Sequence, residues 1–305
     1  MRAIRQHRFG PPDVLQLEEL PTPEPAEGQV RVAVEAAGVH LLDTSIRSGD
    51  PSTPMGVPDL PMVPGREVAG VVDAVGPGIE PDWVGRRVVA HLGMASGGYA
   101  ERAVVAADRA YAVPDGMSAE VAVAAVGTGR TAAGIVSLAG LTPDDVVAVT
   151  SAAGGLGVLL VQAARHAGAR VLGLASPSKR DLVEHLGAEF VVDDGDVPDL
   201  TLVLDGVGGA VGRRLFARLV PEGRLVRYGW SSGEQNEYGD AGPRVVDVLG
   251  PYMVENLTRF EREAIDAAQD GTRVPLVTSF ALADAAEAHR ALEERRTTGK
   301  VVLIP

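Results

Sequence analysis

An α/β fold, in which a doubly wound parallel sheet is joined to a second, β-rich lobe, is predicted by three features of the sequence. First, the stretch Asp144 to Arg165 (DDVVAVTSAAGGLGVLLVQAAR) reads as strand, glycine turn and helix. Val146 to Thr150 is the β-branched run of a strand buried on both faces, and apolar residues recur at helical spacing from Leu156 onward. Second, strand and helix patterns alternate along the chain after that turn, as a parallel sheet requires. Third, the chain before Ser118 carries short strand patterns closely punctuated by Gly and Pro.

Gly154, Gly155 and Gly157 occupy the turn. In a dinucleotide-binding fold such glycines let the backbone turn sharply, approach a pyrophosphate and aim helix N-terminal amides at it. The same glycines also occur in a plain tight βα connection, so the flanks must decide.

The flanks are specific. Acidic residues precede the strand, Ala152-Ala153-Gly154-Gly155-Leu156-Gly157 forms the turn, and Gln162 and Arg165 follow on the helix. This segment resembles the zinc-independent quinone oxidoreductase (zeta-crystallin-like) branch of the medium-chain dehydrogenase/reductase superfamily. The resemblance implies a Rossmann nucleotide domain, with Gly154, Gly155 and Leu156 at the cofactor, and a discontinuous GroES-like catalytic domain. It also implies a homodimer.

Composition fits two lobes. A chain of 305 residues with 46% hydrophobic residues can fill two ordinary cores. The start, MRAIRQHRFGPP, has no apolar leader, and no run of eighteen apolar residues occurs, so a cytoplasmic protein is expected. A net charge of −13 opposes binding to nucleic acid or anionic membranes, and an anionic cofactor must be drawn in by local cations. The absence of cysteine excludes disulfides and thiolate metal sites.

In the first lobe, Leu15 to Leu20, Gln29 to Ala36 and Val68 to Val75 are predicted strands, separated by PTPEPAEG and by a proline-rich loop over 51–64. Ala37 to Gly49 resembles the family's substrate-side turn, which keeps an Asp, an Arg and a Gly at the spacing of Asp43, Arg47 and Gly49. The family commonly has Asn at the place of His40 and an aromatic at the place of Ser45. Val63 to Gly70 resembles the superfamily's Gly-His-Glu-x-x-Gly element with Arg66 in the histidine's place. At the positions matching the zinc-binding relatives only His40 and Glu67 remain, so no catalytic zinc is expected. Gly85 to Val88 and Gly97 to Glu101 match the family's strand and following turn. Glu67 reads as a buried hydrogen-bonding acid.

Ser118 marks the expected switch between lobes: residues 1–118 form the first part of the catalytic domain, 119–270 the nucleotide domain and 271–305 the return to the first. Ser118 can cap a helix through Val126, and Arg130 to Ala139 forms a second one ended by Gly140. The family's Gly-x-Thr contact with the cofactor nominates Thr131, which equally well satisfies its own helix carbonyl. Further on, Arg170 to Ala175, Phe190 to Val192, Thr201 to Leu204 and Arg224 to Tyr228 read as strands. Lys179 to Leu186 and Val211 to Leu219 read as helices. From Glu234 to Leu257 periodicity is lost, and a mobile substrate-side segment or a subunit contact is expected. Helices around Leu257 to Gln269 and Ala283 to Arg295 precede a closing strand, Lys300 to Ile304.

An NAD-selective fold places an acid at the end of the second nucleotide-domain strand. Here Ser176-Pro177-Ser178-Lys179-Arg180 stands instead. A hydroxyl and cations accept a 2′-phosphate that a carboxylate would repel, which nominates Ser176 and Lys179 and favours NADPH. The cationic pair can also be an ordinary solvated helix face. The turns Asp205 to Gly209 and Tyr228 to Gly233 resemble the family's contacts along the nicotinamide, which nominates Val207, Tyr228, Gly229 and Ser231.

His7, His166, His185 and His289 lack spaced partners, whereas His40 and His91 are expected on cleft-facing turns where an imidazole can donate a proton. The resemblance therefore implies hydride transfer from NADPH to a quinone or enone, with His40 the first candidate donor and Ser45, Arg47 and Tyr228 weaker ones. Two other readings stay open: an enoyl reductase acting on an α,β-unsaturated ketone or thioester, and an NADPH-binding protein without turnover.

Overall fold

The structure is a computed structural model that describes residues 1–51, 53, 56–93, 96–192, 195–239 and 242–305. Of the predicted loop 51–64, residues 52, 54 and 55 lie outside the described residues, as do 240 and 241 of the segment 234–257.

The chain opens with β1 (Arg2–Gln6) and β2 (Leu15–Glu19), an antiparallel pair. β3 (Gln29–Val39) runs into α1 (Leu41–Ser48), and β4 (Glu67–Val75), β5 (Arg87–His91), β6 (Arg102–Ala106), β7 (Ala110–Ala112) and α2 (Ala119–Ala124) follow. A wide π-type turn, Ala125–Gly129, leads to α3 (Arg130–Ala139). Then come β8 (Val146–Val149), α4 (Gly155–His166), β9 (Arg170–Leu174), α5 (Arg180–His185), β10 (Glu189–Val191) and β11 (Leu200–Asp205). α6 (Gly209–Phe216), β12 (Leu219–Arg227), β13 (Arg244–Asp247), α7 (Pro251–Glu255) and α8 (Leu257–Gln269) precede the last segment. That segment is β14 (Val277–Ala281), α9 (Ala285–Glu293) and β15 (Lys300–Ile304).

Two compact units result, residues 1–127 with 276–305, and residues 128–275. The division falls after Gly127 rather than at Ser118, because α2, with Ala119, Ala122 and Val123 buried, packs on β3 and β4. Ser118 does cap α2, its Oγ accepting from the Val121 amide at 3.3 Å. The helical run 119–139 is long and apolar enough to cross a membrane, but 67% of its window is buried inside the protein, as in a core helix.

In the first unit a sheet runs in the order β14-β15-β3-β4-β5-β7, with β6 also paired to β3. β3 alternates buried Val30, Val32 and Val34 with more exposed neighbours, then is buried throughout from Ala36 to Val39, where β15 pairs with it antiparallel. The closing strand thus completes the sheet begun by the N-terminal segment. Its core gathers Val32, Val68, Val72, Tyr99, Val301 and Leu303.

In the second unit, among the described residues, six parallel strands run β10-β9-β8-β11-β12-β13. Counted from β8, this is the doubly wound order 3-2-1-4-5-6, whose direction of winding reverses between β8 and β11. Val147, Val149, Leu172, Leu202 and Leu204 are buried, as strands covered on both faces must be. The segment 234–257 contains β13 at the sheet edge and α7, neither of which is apparent in its sequence pattern.

Candidate active site

In the nucleotide unit the chain leaves β8 through Thr150 and Ser151, the latter at φ 51°, and enters α4 at Gly155. Gly154 precedes the helix and offers no side-chain cap to the first amides of a twelve-residue helix, at its positive dipole end. Gly157 must be glycine: a Cβ there would lie 2.0 Å from the Ser151 carbonyl oxygen and 2.7 Å from Ala152 Cα. This cradle suits a pyrophosphate.

Beside it, Asp205 ends β11 fully buried and organises the next turn. Its Oδ1 accepts from Thr150 Oγ1 (3.1 Å), Val207 N (2.9 Å) and Gly208 N (3.1 Å), while Thr150 Oγ1 accepts from Gly206 N (2.8 Å). The following turn docks on this one through Tyr228 N to Asp205 O at 2.8 Å and Ser231 N to Gly206 O at 3.0 Å. The Tyr228 hydroxyl donates to Thr150 O at 3.1 Å, and burial pushes its phenol well up. Tyr228 therefore braces the crevice and is a poor acid. Val207 is buried, and Gly229 is half-buried beside exposed Ser231. Thr131 is half-buried as the second residue of α3.

The turn after β9 leaves Ser176 exposed and Lys179 half-buried, with Ser176 Oγ 3.2 Å from Ser178 Oγ. Arg180 turns away: its guanidinium stacks 4.3 Å from the Phe190 ring and pairs with Glu184 at 3.2 Å.

In the first unit His40 is the cap of α1, its backbone amide donating to Asp43 Oδ2 at 2.8 Å. Asp43 also accepts from the Tyr99 hydroxyl (2.9 Å) and Arg66 Nη2 (3.4 Å). The His40 ring is hydrogen-bonded through Nε2 to Glu67 Oε1, and its side chain keeps 23% exposure. Glu67 is fully buried on β4, with Lys300 Nζ 3.0 Å from Oε2 and His91 Nε2 3.7 Å from Oε1. Burial pushes its carboxyl up, but the neighbouring His40, Lys300 and His91 charges hold it well below the usual range. Backbone lines the slot: a Cβ on Gly127 or Gly38 would lie 1.9 Å or 2.2 Å from a Glu67 carboxylate oxygen. His91 Nδ1 accepts from Gly93 N at 2.9 Å, which puts the proton of a neutral ring on Nε2, toward Glu67.

Arg47, nominated from the sequence as a donor, is buried and committed elsewhere. It donates to Gly10 O (3.1 Å) and Glu293 Oε1 (2.6 Å) and lies 3.4 Å from His289 Nδ1, tying α1 to α9. Ser45 is half-buried on α1. A cavity of about 220 Å³ beside α1 is lined by Gln6, Asp43, Ile46, Arg47, Met62 and Arg66. The motifs exposed His40 and Glu67, but Lys300 and Asp205 emerge as partners only in the folded chain.

Residues 26–115 match the alcohol dehydrogenase GroES-like domain family, and residues 186–303 the zinc-binding dehydrogenase family. The quinone oxidoreductase of Salmonella typhimurium is 32% identical over 99% of this chain and 99% of its own length. The 2-haloacrylate reductase of a Burkholderia species is 31% identical over 98% of this chain and 97% of its own length. A stretch of the polyketide synthase GfsB of Streptomyces halstedii is 35% identical over 91% of this chain, which spans only 5% of that protein. The solved Escherichia coli quinone oxidoreductase complexed with NADPH is 29% identical, with a TM-score of 0.87 and 100% of both chains covered. With its parallel sheet, glycine cradle and GroES-like unit, the chain belongs to the quinone oxidoreductase branch of the medium-chain dehydrogenase/reductase superfamily and is an oxidoreductase.

Proposed function

We propose that the protein is an NADPH-dependent, zinc-independent reductase of quinones or other conjugated carbonyl acceptors, cytoplasmic and homodimeric, with His40 as proton donor. The observation that carries the cofactor reading is the turn after β9, where Ser176 and Lys179 stand in place of the acid that an NAD-selective fold puts on the ribose. When bound, NADPH supplies the hydride. The α4 amides after Gly154 would hold its pyrophosphate, Ser176 and Lys179 its 2′-phosphate, and Val207, Tyr228, Gly229 and Ser231 its nicotinamide side, while Thr131 would contact the cofactor. His40 protonates the acceptor oxygen as negative charge develops there.

Zinc does not fit the substrate half. Among the described residues, His40, Glu67 and His91 bring ligand atoms within 4.8 Å of one another. His40 Nε2 is the hydrogen-bond donor to Glu67, whereas zinc needs its lone pair. The Lys300 ammonium on the same carboxylate adds a charge that repels a cation.

The similarity to a 2-haloacrylate reductase favours a second reading, in which the hydride goes to the carbon–carbon double bond of an unsaturated ketone, acid or thioester. NADPH oxidation measured across quinones, enones and enoyl thioesters separates the two. Tight NADPH binding with no turnover of any acceptor would instead identify a non-catalytic binding protein.

A further inference from the structure

We propose that Glu67, neutralised by Lys300, is a positioning residue for His40, fixing the imidazole so that Nδ1 is the atom that gives up a proton. The inference rests on the reading of His40 as donor. An ionised carboxylate only accepts hydrogen bonds, so the bond between His40 Nε2 and Glu67 Oε1 requires the proton on Nε2. The ring's other nitrogen, Nδ1, then carries the transferable proton of the imidazolium.

The slot around Glu67 serves this arrangement. Glu67 is fully buried, and the backbone at Gly38 and Gly127 closes on it where side chains would collide. The groups facing it are His40 ahead of α1, His91 on β5 and Lys300 on β15, while Asp43 and Arg66 stand near and pair with each other at 3.4 Å. An isolated buried carboxyl would take up a proton and lose its hold on the ring's tautomer; the His40 charge and the Lys300 ammonium at 3.0 Å keep it ionised. In the transfer, the His40 Nδ1–H bond breaks and an O–H bond forms on the acceptor. Imidazolium becomes imidazole, Glu67 stays ionised, and solvent reprotonates the ring through its 23% exposed face.

A purely structural alternative is that Glu67 only balances Lys300 and anchors β15. Glu67→Gln, Lys300→Met and the double variant separate the two, measured on the full chain with NADPH and with menadione as acceptor. Glu67→Gln alone strands a buried ammonium and lowers the melting temperature; the double variant removes both charges and restores it. Positioning predicts that the double variant, although stable and normal in NADPH affinity and KM, keeps a kcat reduced by at least about tenfold. A double variant with wild-type kcat overturns the proposal. His40→Asn tests the underlying reading separately. If it loses kcat while the double variant keeps it, only the positioning role falls. If His40→Asn leaves kcat unchanged, or wild type fails to turn over, the donor reading falls and the positioning role with it.

Discussion

Asp145 and Arg224 are joined by two parallel hydrogen bonds of 2.9 Å each, Nη1 to Oδ1 and Nη2 to Oδ2. Thr201 Oγ1 adds a third at 2.6 Å and the Thr142 amide a fourth at 2.8 Å, tying the start of β8 to β11 and β12. Burial pushes the Asp145 carboxyl up, but these donors win and hold it at about 2. Because this lies below the unfolded value of 3.8, the stabilisation is complete above about pH 4 and is lost as pH falls through about 2. Its size is about 2 kcal/mol. Asp145→Asn is expected to lower stability at neutral pH and flatten the acid dependence below about pH 4. Urea unfolding at stepped pH checks this, and equal acid slopes in both proteins would count against it.

His289 starts neutral rather than charged, and the effect has the same sign. Burial lowers its imidazole to about 4, an effect that Asp43 partly offsets and Arg47 reinforces. The unfolded ring takes its proton near 6.5, so stability is full above that pH, declines by about 3 kcal/mol toward pH 4 and is level below. His289→Gln should remove this slope. A variant that unfolds with the wild-type pH profile would show that the ring is not held neutral.

Lys179→Ala should weaken NADPH about tenfold to a hundredfold, since a hydrogen bond to a charged group contributes about 1.5 to 3 kcal/mol, and leave NADH nearly unchanged. Ser176→Asp with Lys179→Ala should go further toward NADH, because the new carboxylate repels the 2′-phosphate and accepts from the ribose diol. Nicotinamide fluorescence titration at fixed ionic strength reads both constants. Equal weakening of the two cofactors would return Lys179 to the solvated surface.

Gly157→Ala should weaken NADPH and NADH alike and cost about 1 to 3 kcal/mol of stability, because the methyl group forces the Ser151 carbonyl away. A variant with wild-type affinity for both would mean that the turn yields without disturbing the cradle.

Dialysed protein should hold no stoichiometric zinc by elemental analysis and keep its turnover in a chelator. About one zinc per chain, with activity lost to chelator and restored by the metal, would refute the donor assignment at His40.

What the sequence revealed divides by how local each signal is. α8 coincides with the apolar pattern from Leu257 to Gln269, and the glycine turn and Ser176 to Lys179 lie within single loops, so both are legible in consecutive residues. β13 escaped because an edge strand with only Val245 and Val246 half-buried needs no alternating pattern. The surroundings of Glu67 escaped for a different reason. His91 meets it through the register of β4 on β5, and Lys300 arrives on a strand from the far end of the sequence, so neither pairing leaves a trace in local spacing. Arg47 was legible as a motif member but not in its duty, since its partners on α9 are equally remote.

The position of Lys300 also bears on how the chain is made. During synthesis residues 128–275 have every strand of their sheet before the ribosome reaches β14, so that unit can close while translation continues. The other unit must wait. Until residues 300–304 emerge and zip onto β3, Glu67 has no ammonium beside it and the sheet lacks β15. The lobe translated first is therefore the one finished last, and the nascent chain carries an open strand edge along β3 throughout that interval.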